Sequence, residues 1–194
     1  MSEILLIDNL DSFTYNLVDI FKKNKYKVFI FRNYISKKII EKKIVNMKNP
    51  ILVFSPGPGL PKNAGCMNSL IKTFESKIPI IGICLGFQAI IEIFGGSIIQ
   101  SKKIYHGKIS IINHDGLDIY KNIKNPLQVG RYHSFVCNKV PNNFIANSFC
   151  KKIVMSIKNK SKKIFGFQYH PESILTPYGD KILLNTISWI ENKI

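Results

Sequence analysis

Arginine is nearly absent from this chain. Of 28 basic residues set against 12 acidic ones, only Arg32 and Arg131 are arginine and the rest are lysine. The formal charge of +16 is therefore built without the side chain that proteins favour for bidentate contacts to bases and phosphates. The lysines come in scattered pairs (Lys22/Lys23, Lys37/Lys38, Lys42/Lys43, Lys102/Lys103, Lys151/Lys152, Lys162/Lys163) and form no block. Ile and Asn, whose codons are A/T-rich like those of Lys, are abundant too, so coding bias accounts for the charge more simply than a nucleic-acid partner. A polyanion-binding role stays as the alternative.

Long hydrophobic runs are missing as well. The best, Ile78 to Leu85, falls far short of the ~18–20 residues of a membrane helix. The start, MSEILLID, lacks the basic leader, long apolar stretch and small-residue cleavage site of a secretory signal. Four cysteines, Cys66, Cys84, Cys137 and Cys150, show no CxxC spacing, which argues against a zinc site or a disulfide framework, and no carboxylate cluster suggests a metal. Together these absences predict a cytoplasmic protein with neither membrane contact nor a metal of its own. What is present, 45% hydrophobic and 11% aromatic residues over 194 positions, excludes a disordered chain and fits one domain spanning 1–194.

The pattern of apolar residues predicts strands at Ile4 to Ile7, Val28 to Phe31, Ile51 to Phe54 and Pro79 to Ile83. Between and after them it predicts helices at about Ser12 to Lys23, Ser36 to Met47, Ala64 to Phe74 and Gly86 to Phe94. Such alternation implies a parallel sheet covered on both faces. After Gly95 the texture changes to short runs (Ile109 to Ile112, Gln128 to Tyr132, Phe144 to Ala146, Ile153 to Ile157, Ile164 to Gln168). A last helix follows near Asp180 to Glu191. The fold expected is a three-layer α/β sandwich with a mostly parallel central sheet and a smaller antiparallel extension.

Residues 78 to 90, IPIIGICLGFQAI, carry an apolar strand through Gly82-Ile83-Cys84-Leu85-Gly86 into a helix. A nucleophile on a sharp strand-to-helix turn projects its side chain clear of the sheet, and small residues two before and two after permit that geometry. Cys84 would also sit at a helix N-terminus, where backbone N–H dipoles favour negative charge, and the Leu85 N–H would face an oxyanion. A small buried cysteine with glycines for close packing fits the local sequence equally well.

A thiol nucleophile needs a base, and the base needs an orienting group. In GFQYHPES, residues 166 to 173, His170 follows a strand-like run, and Glu172 points the same way if the stretch stays extended. Taken alone, this motif is more simply a turn histidine beside a solvated glutamate, and His133, His106 and His114 are other candidate bases. SPGPG, Ser55 to Gly59, is a stiff loop with uncovered backbone, able to offer an N–H to an oxyanion or merely to turn the chain.

Taken together, PGPG, GxCxGxQ and HPE in this order resemble the class I (triad-type) glutamine amidotransferases over the whole chain. LIDNLDSFTYNL (6 to 17), SPGPGLPKNAGC (55 to 66), GICLGFQAI (82 to 90), HGK (106 to 108) and RYHSF (131 to 135) narrow the resemblance to the glutaminase components of anthranilate synthases. The glutaminases of aminodeoxychorismate synthases share most of these motifs, and the NAGCM stretch leans toward the former. The resemblance implies Cys84 as nucleophile, His170 as catalytic histidine and Glu172 as its orienting carboxylate. It implies oxyanion donors at the Gly57 and Leu85 N–H groups, and glutamine held by Gly57, Pro58, Gly59, Leu85, Gln88 and the backbone of Ser134 and Phe135. His133 then reads as structural. Phe87 and Phe135 depart from the His and Leu common in that family, which leaves pocket shape and partner contacts open.

The activity so implied is hydrolysis of L-glutamine and delivery of ammonia to a chorismate-binding partner, anthranilate synthase component I, in a heterodimer or heterotetramer. That partner would convert chorismate to anthranilate and pyruvate in tryptophan biosynthesis. No cofactor is expected in this chain; Mg²⁺ and any tryptophan feedback site would belong to the partner. A Cys-triad hydrolase acting alone would be active as an isolated monomer, and a non-catalytic binding module would show no thiol reactivity at Cys84.

Overall fold

Ile4, Leu5, Leu6 and Ile7 are all fully buried in the computed structural model, which describes residues 1–192. An apolar run achieves this where helices cover both faces of a sheet. The first half alternates as β1 (Glu3–Asp8), α1 (Thr14–Lys23), β2 (Lys27–Arg32), α2 (Lys37–Val45), β3 (Pro50–Phe54), α3 (Met67–Phe74), β4 (Ile80–Ile83) and α4 (Leu85–Ile93). The second half carries β5 (Ser97–Gln100), β6 (Lys108–His114), β7 (Leu127–Arg131), β8 (Phe135–Lys139), β9 (Ile145–Cys150), β10 (Ile153–Asn159), β11 (Ile164–Phe167) and α5 (Gly179–Ile190).

Because side chains alternate across a strand, the two faces of β1 feed two cores. Ile4 and Leu6 pack with Leu17, Val18 and Phe21 of α1 and with Ile182, Leu183 and Ile187 of α5. Leu5 and Ile7 pack with Ile40 of α2, Leu70 and Ile71 of α3 and Ile90 of α4. Each such fully buried Leu, Ile or Phe contributes about 1.5–3 kcal/mol over its exposed state.

Nine strands form one sheet in the order β2-β1-β3-β4-β11-β10-β9-β6-β7. Pairing is parallel from β2 to β11 and antiparallel from there to β7. β4 and β11 are neighbours in parallel register, Ile83 opposite Phe167, and β3 flanks β4 on the other side with Phe54 opposite Gly82. The turns after β1, β3, β4 and β11 therefore leave the same edge of the sheet, the carboxyl edge where open α/β sheets bind ligands.

The expected elements shift at their ends for local reasons. α1 starts at Thr14, two residues after the predicted Ser12, because the Asp11 carboxylate accepts the Phe13 N–H (2.8 Å) and its carbonyl accepts the Thr14 N–H (3.2 Å). α3 starts three residues late, after a 3-10 turn at Pro61–Asn63 and the left-handed Gly65 (φ 52°). β5 and β8, a separate antiparallel pair, have no counterpart among the strands expected from the sequence; SIIQ and FVCNK are short and end in exposed polar residues. No helix among the described residues is long and apolar enough to cross a membrane.

Candidate active site

Four turns meet at the carboxyl edge. β4 ends at Ile83, and Cys84 has φ 51° and ψ −95°, well outside the regions open to L-residues and near the strained γ-turn well. Such a conformation costs on the order of 1–3 kcal/mol and persists only where neighbours enforce it. Here the Cys84 N–H donates to the Phe167 carbonyl at 2.7 Å, and the Cys84 carbonyl accepts the Gln88 N–H at 3.0 Å to start α4. The flanking glycines are required sterically: a Cβ on Gly82 would lie 2.6 Å from the Gly86 backbone, and one on Gly86 would lie 2.8 Å from Phe54. Cys84 is 5% exposed, with its sulfur 4.0 Å from the Gln168 side-chain nitrogen.

Parallel pairing of β4 with β11 puts the chain after Phe167 beside this turn. The His170 backbone is pinned there: its N–H donates to Gly130 (3.0 Å), and its carbonyl accepts the Thr176 hydroxyl (2.7 Å). Its Nδ1 meets Glu172 Oε1 at 2.7 Å, with both side chains almost wholly buried. The ring packs against both Phe13 and Tyr132, with centroids at 5.5 and 4.7 Å, and those two rings touch each other at 4.8 Å. Nε2 is buried and makes no well-formed hydrogen bond among the described residues. Burial alone would lower the affinity of the imidazole for a proton. The Glu172 carboxylate, and after it the Cys84 sulfur, more than reverse that and hold its pKa well above the ordinary value.

The turn after β3 brings Gly57 against the elbow, since a Cβ there would meet Leu85 Cδ2 at 2.8 Å and Asn9 Cβ at 2.6 Å. Neither the Gly57 nor the Leu85 backbone N–H has a protein acceptor among the described residues. Pro58 and Gly59 lie exposed beyond this contact. The fourth turn, after β1, buttresses the others. Asn9 is 2% exposed; its N–H donates to Ser55 Oγ (2.8 Å), its side-chain amide donates to the Ser55 carbonyl (2.9 Å), and its Oδ1 accepts from Asn33 (3.2 Å).

Gln88 projects from α4 toward the RYHSF segment, with Nε2 3.5 Å from the Phe135 carbonyl. That carbonyl also accepts from His133 Nδ1 at 2.8 Å, while the Ser134 carbonyl is taken by the Ser101 N–H at 2.7 Å. Burial, and then the Arg131 charge, lower the His133 pKa to about 3. The structure thus brings Cys84, His170, Glu172, Gly57 and Leu85 to one edge, and Gln88, Ser134 and Phe135 to a second segment beside it. It leaves His114 elsewhere, stacked on Tyr120 at 4.3 Å, and His106 exposed. Phe87 is fully buried against Gly166, so this departure sits in the core.

Burial pushes the Cys66 thiol up and that of Cys137 to about 11. Among the described residues no cluster of three His, Cys, Asp or Glu side chains could hold a metal ion. Sequence reasoning passed over Asn9, Phe13, Arg131, Tyr132 and Gln168. All five lie in stretches that the sequence had singled out, Asn9 and Phe13 in LIDNLDSFTYNL, Arg131 and Tyr132 in RYHSF and Gln168 in GFQYHPES, but nothing local marked them as site residues.

The family described as "Glutamine amidotransferase class-I" matches residues 5–189. "Anthranilate synthase component 2" of Buchnera aphidicola subsp. Acyrthosiphon pisum is 51% identical over 193 residues, covering 100% of this chain and 96% of that protein. The protein of the same name from Vibrio parahaemolyticus is 46% identical, covering 100% and 98%. Among solved structures, a putative GMP synthase subunit from Thermoplasma acidophilum superposes with a TM-score of 0.86 at 23% identity, covering 99% of this chain and 95% of that one. A glutamine amidotransferase from Thermotoga maritima gives a TM-score of 0.80 at 14% identity, covering 97% of each. At such identities these two structures speak to the fold alone.

Proposed function

The chain belongs to the class-I glutamine amidotransferases, and from that premise we propose that it is the glutaminase subunit of an anthranilate synthase. It hydrolyses L-glutamine and hands the ammonia to a chorismate-binding synthase subunit. The observation that carries the chemistry is a cysteine held in a strained elbow at a helix start, beside a buried histidine whose far nitrogen is bonded to a buried carboxylate. The pathway rests on relatives called anthranilate synthase component 2, a name that itself calls for another component.

In this reading the Cys84 sulfur attacks the side-chain amide carbon of glutamine. The oxygen gathers negative charge opposite the N–H groups of Gly57 and Leu85, which no acceptor among the described residues occupies. His170, kept protonated by Glu172, passes its Nε2 proton to the departing nitrogen. Ammonia leaves, and a γ-glutamyl thioester remains on Cys84. His170, now neutral, takes a proton from water as the hydroxyl adds to the thioester; the thiolate is expelled beside the restored imidazolium, and the carboxylic acid formed loses its proton to solvent and departs as glutamate. Ammonia that reaches bulk water at neutral pH is protonated and ceases to be a nucleophile, so a synthase subunit has to receive it directly. The reaction needs no metal on this chain, and we assign the Mg²⁺ of the synthase chemistry to the partner.

The test is Cys84→Ser in the complex reconstituted with the synthase subunit. Serine keeps the size of the side chain but is a far weaker nucleophile in this setting. Glutamine-dependent anthranilate formation should fall by several powers of ten, while formation from ammonia at alkaline pH stays near wild type. Loss of both activities in an assembled complex would overturn the assignment.

A further inference from the structure

Arg131 is 1% exposed, and no carboxylate pairs with it among the described residues. A buried guanidinium without a counter-ion is costly, and the partners it does have are neutral. Its Cζ lies 3.4 Å from the Tyr105 ring centroid, and Nη1 reaches Ser110 Oγ at 3.4 Å and Cys150 Sγ at 3.8 Å. Nη2 has no hydrogen-bond partner among the described residues. The one short bond runs from Nε to His133 Nε2, at 3.0 Å.

That bond dictates the state of the imidazole. A guanidinium has donors and no acceptor, so His133 Nε2 must offer its lone pair, and the ring proton then sits on Nδ1. Nδ1 is 2.8 Å from the Phe135 carbonyl and donates to it. The carbonyl has two lone pairs; the second faces Gln88 Nε2 at 3.5 Å. The donor chain thus runs from Arg131 through His133 to Phe135, with Gln88 closing on the same oxygen. Gln88 is 4% exposed, and its Nε2 is committed to Phe135, which points Oε1 the other way. With the proton on Nε2 instead, the Nδ1 and Phe135 lone pairs would repel, and the carbonyl and the Gln88 amide would turn. The balance of groups acting on His133 keeps it neutral: burial, Arg131 on β7 and His170 after β11 disfavour a second proton and outweigh the Phe135 carbonyl on β8, which favours one, while the Tyr105 ring packs at 5.4 Å.

We propose that Arg131 is a positioning residue for glutamine binding: its Nε–H locks His133 as the neutral Nδ1–H tautomer, which fixes the Phe135 carbonyl and, through it, the Gln88 amide. This rests on the functional reading above, since Gln88 and Phe135 hold glutamine only within it. Arg131 touches no reacting atom, so removing it should act on KM for glutamine far more than on kcat.

Nitrogen NMR of the histidine rings and glutamine kinetics of the assembled complex test the two halves separately. Wild-type His133 should show a protonated Nδ1 and an unprotonated Nε2 across the neutral range. In Arg131→Met the His133 proton should no longer be confined to Nδ1, so that an Nε2–H or doubly protonated ring appears beside it, and KM for glutamine should rise about tenfold, with kcat changed much less. Arg131→Lys, which restores one donor, should recover part of both effects, and a melting curve for each variant establishes that it is folded. His133→Gln, which keeps an acceptor and a donor, covers the case in which Arg131→Met fails to fold. Its KM should lie closer to wild type than that of His133→Ala. A wild-type Nε2–H tautomer, or an unchanged KM in folded Arg131→Met, would overturn the proposal. Lack of glutaminase activity in the wild-type complex would instead overturn the functional reading, with the NMR arm still deciding the relay.

Discussion

Two histidines, His133 and His170, lie almost wholly buried within the same region of the protein, and their neighbours drive them to opposite charge states. Burial alone would make both neutral. His133 stays so because the group beside it is the Arg131 guanidinium, which donates to Nε2 and opposes a second charge. His170 is held protonated because its neighbour is the Glu172 carboxylate. The lesson is that burial sets the penalty and the sign of the nearest charge sets the outcome. It also separates roles. A histidine frozen as a neutral tautomer is a spacer with fixed donor and acceptor ends, whereas one that holds a proton with its second nitrogen unbonded can deliver it.

The contrast breaks most visibly in turnover. His170→Ala in the reconstituted complex should lower kcat with glutamine by roughly 10²–10⁴-fold, the usual worth of a positioned acid–base group. His133→Gln should lower kcat only a few-fold. Equal losses would mean that the two rings do the same job. A smaller effect is expected at Glu172→Gln, which keeps the shape but removes the charge. Turnover should fall about 10²-fold or less, and the limb of the kcat/KM profile that reports His170 should move to lower pH. A limb that stayed in place would show that Glu172 does not set the charge of His170.

The smallest effect is on stability, and its sign differs between the two rings. His133 has a folded pKa of about 3, below the ordinary 6.5. Its contribution is fully present above pH 6.5 and is lost as pH falls toward 3, because the unfolded chain binds a proton that the native ring refuses. His170 has a raised folded pKa, so its contribution is present below 6.5 and is lost as pH rises through that folded value. Chemical denaturation across the acid range should show His133→Gln losing up to about 1.4 kcal/mol per pH unit of the wild-type slope between 6.5 and 3. An unchanged slope would show that His133 takes up its proton in the native state.

Much of the site was legible in the amino-acid sequence. GICLG announced an elbow because only small residues fit where Gly82 meets Gly86 and Gly86 meets Phe54. The alternation of Ile4 to Ile7 and Ile51 to Val53 with amphipathic helices announced the covered parallel sheet. The pair β5 and β8 escaped notice because four or five residues with polar ends carry no period worth reading. Pro58 and Gly59, grouped with Gly57 by motif, proved exposed, since a motif lists neighbours in sequence and does not say which of them the fold turns inward.

By itself the sequence determined which residues could do chemistry and what local geometry each would adopt, because glycine spacing, apolar periodicity and turn residues act over a few positions. Only the tertiary structure decided which of those pieces meet. Cys84 and His170 converge because β4 and β11 run side by side in parallel, so their carboxyl ends share one edge. Arg131 and His133, two residues apart, find Gln88 only because β8 folds the Phe135 carbonyl back over α4. The charge state of each buried histidine depended on which ion the fold placed beside it, a long-range fact that no local pattern contains.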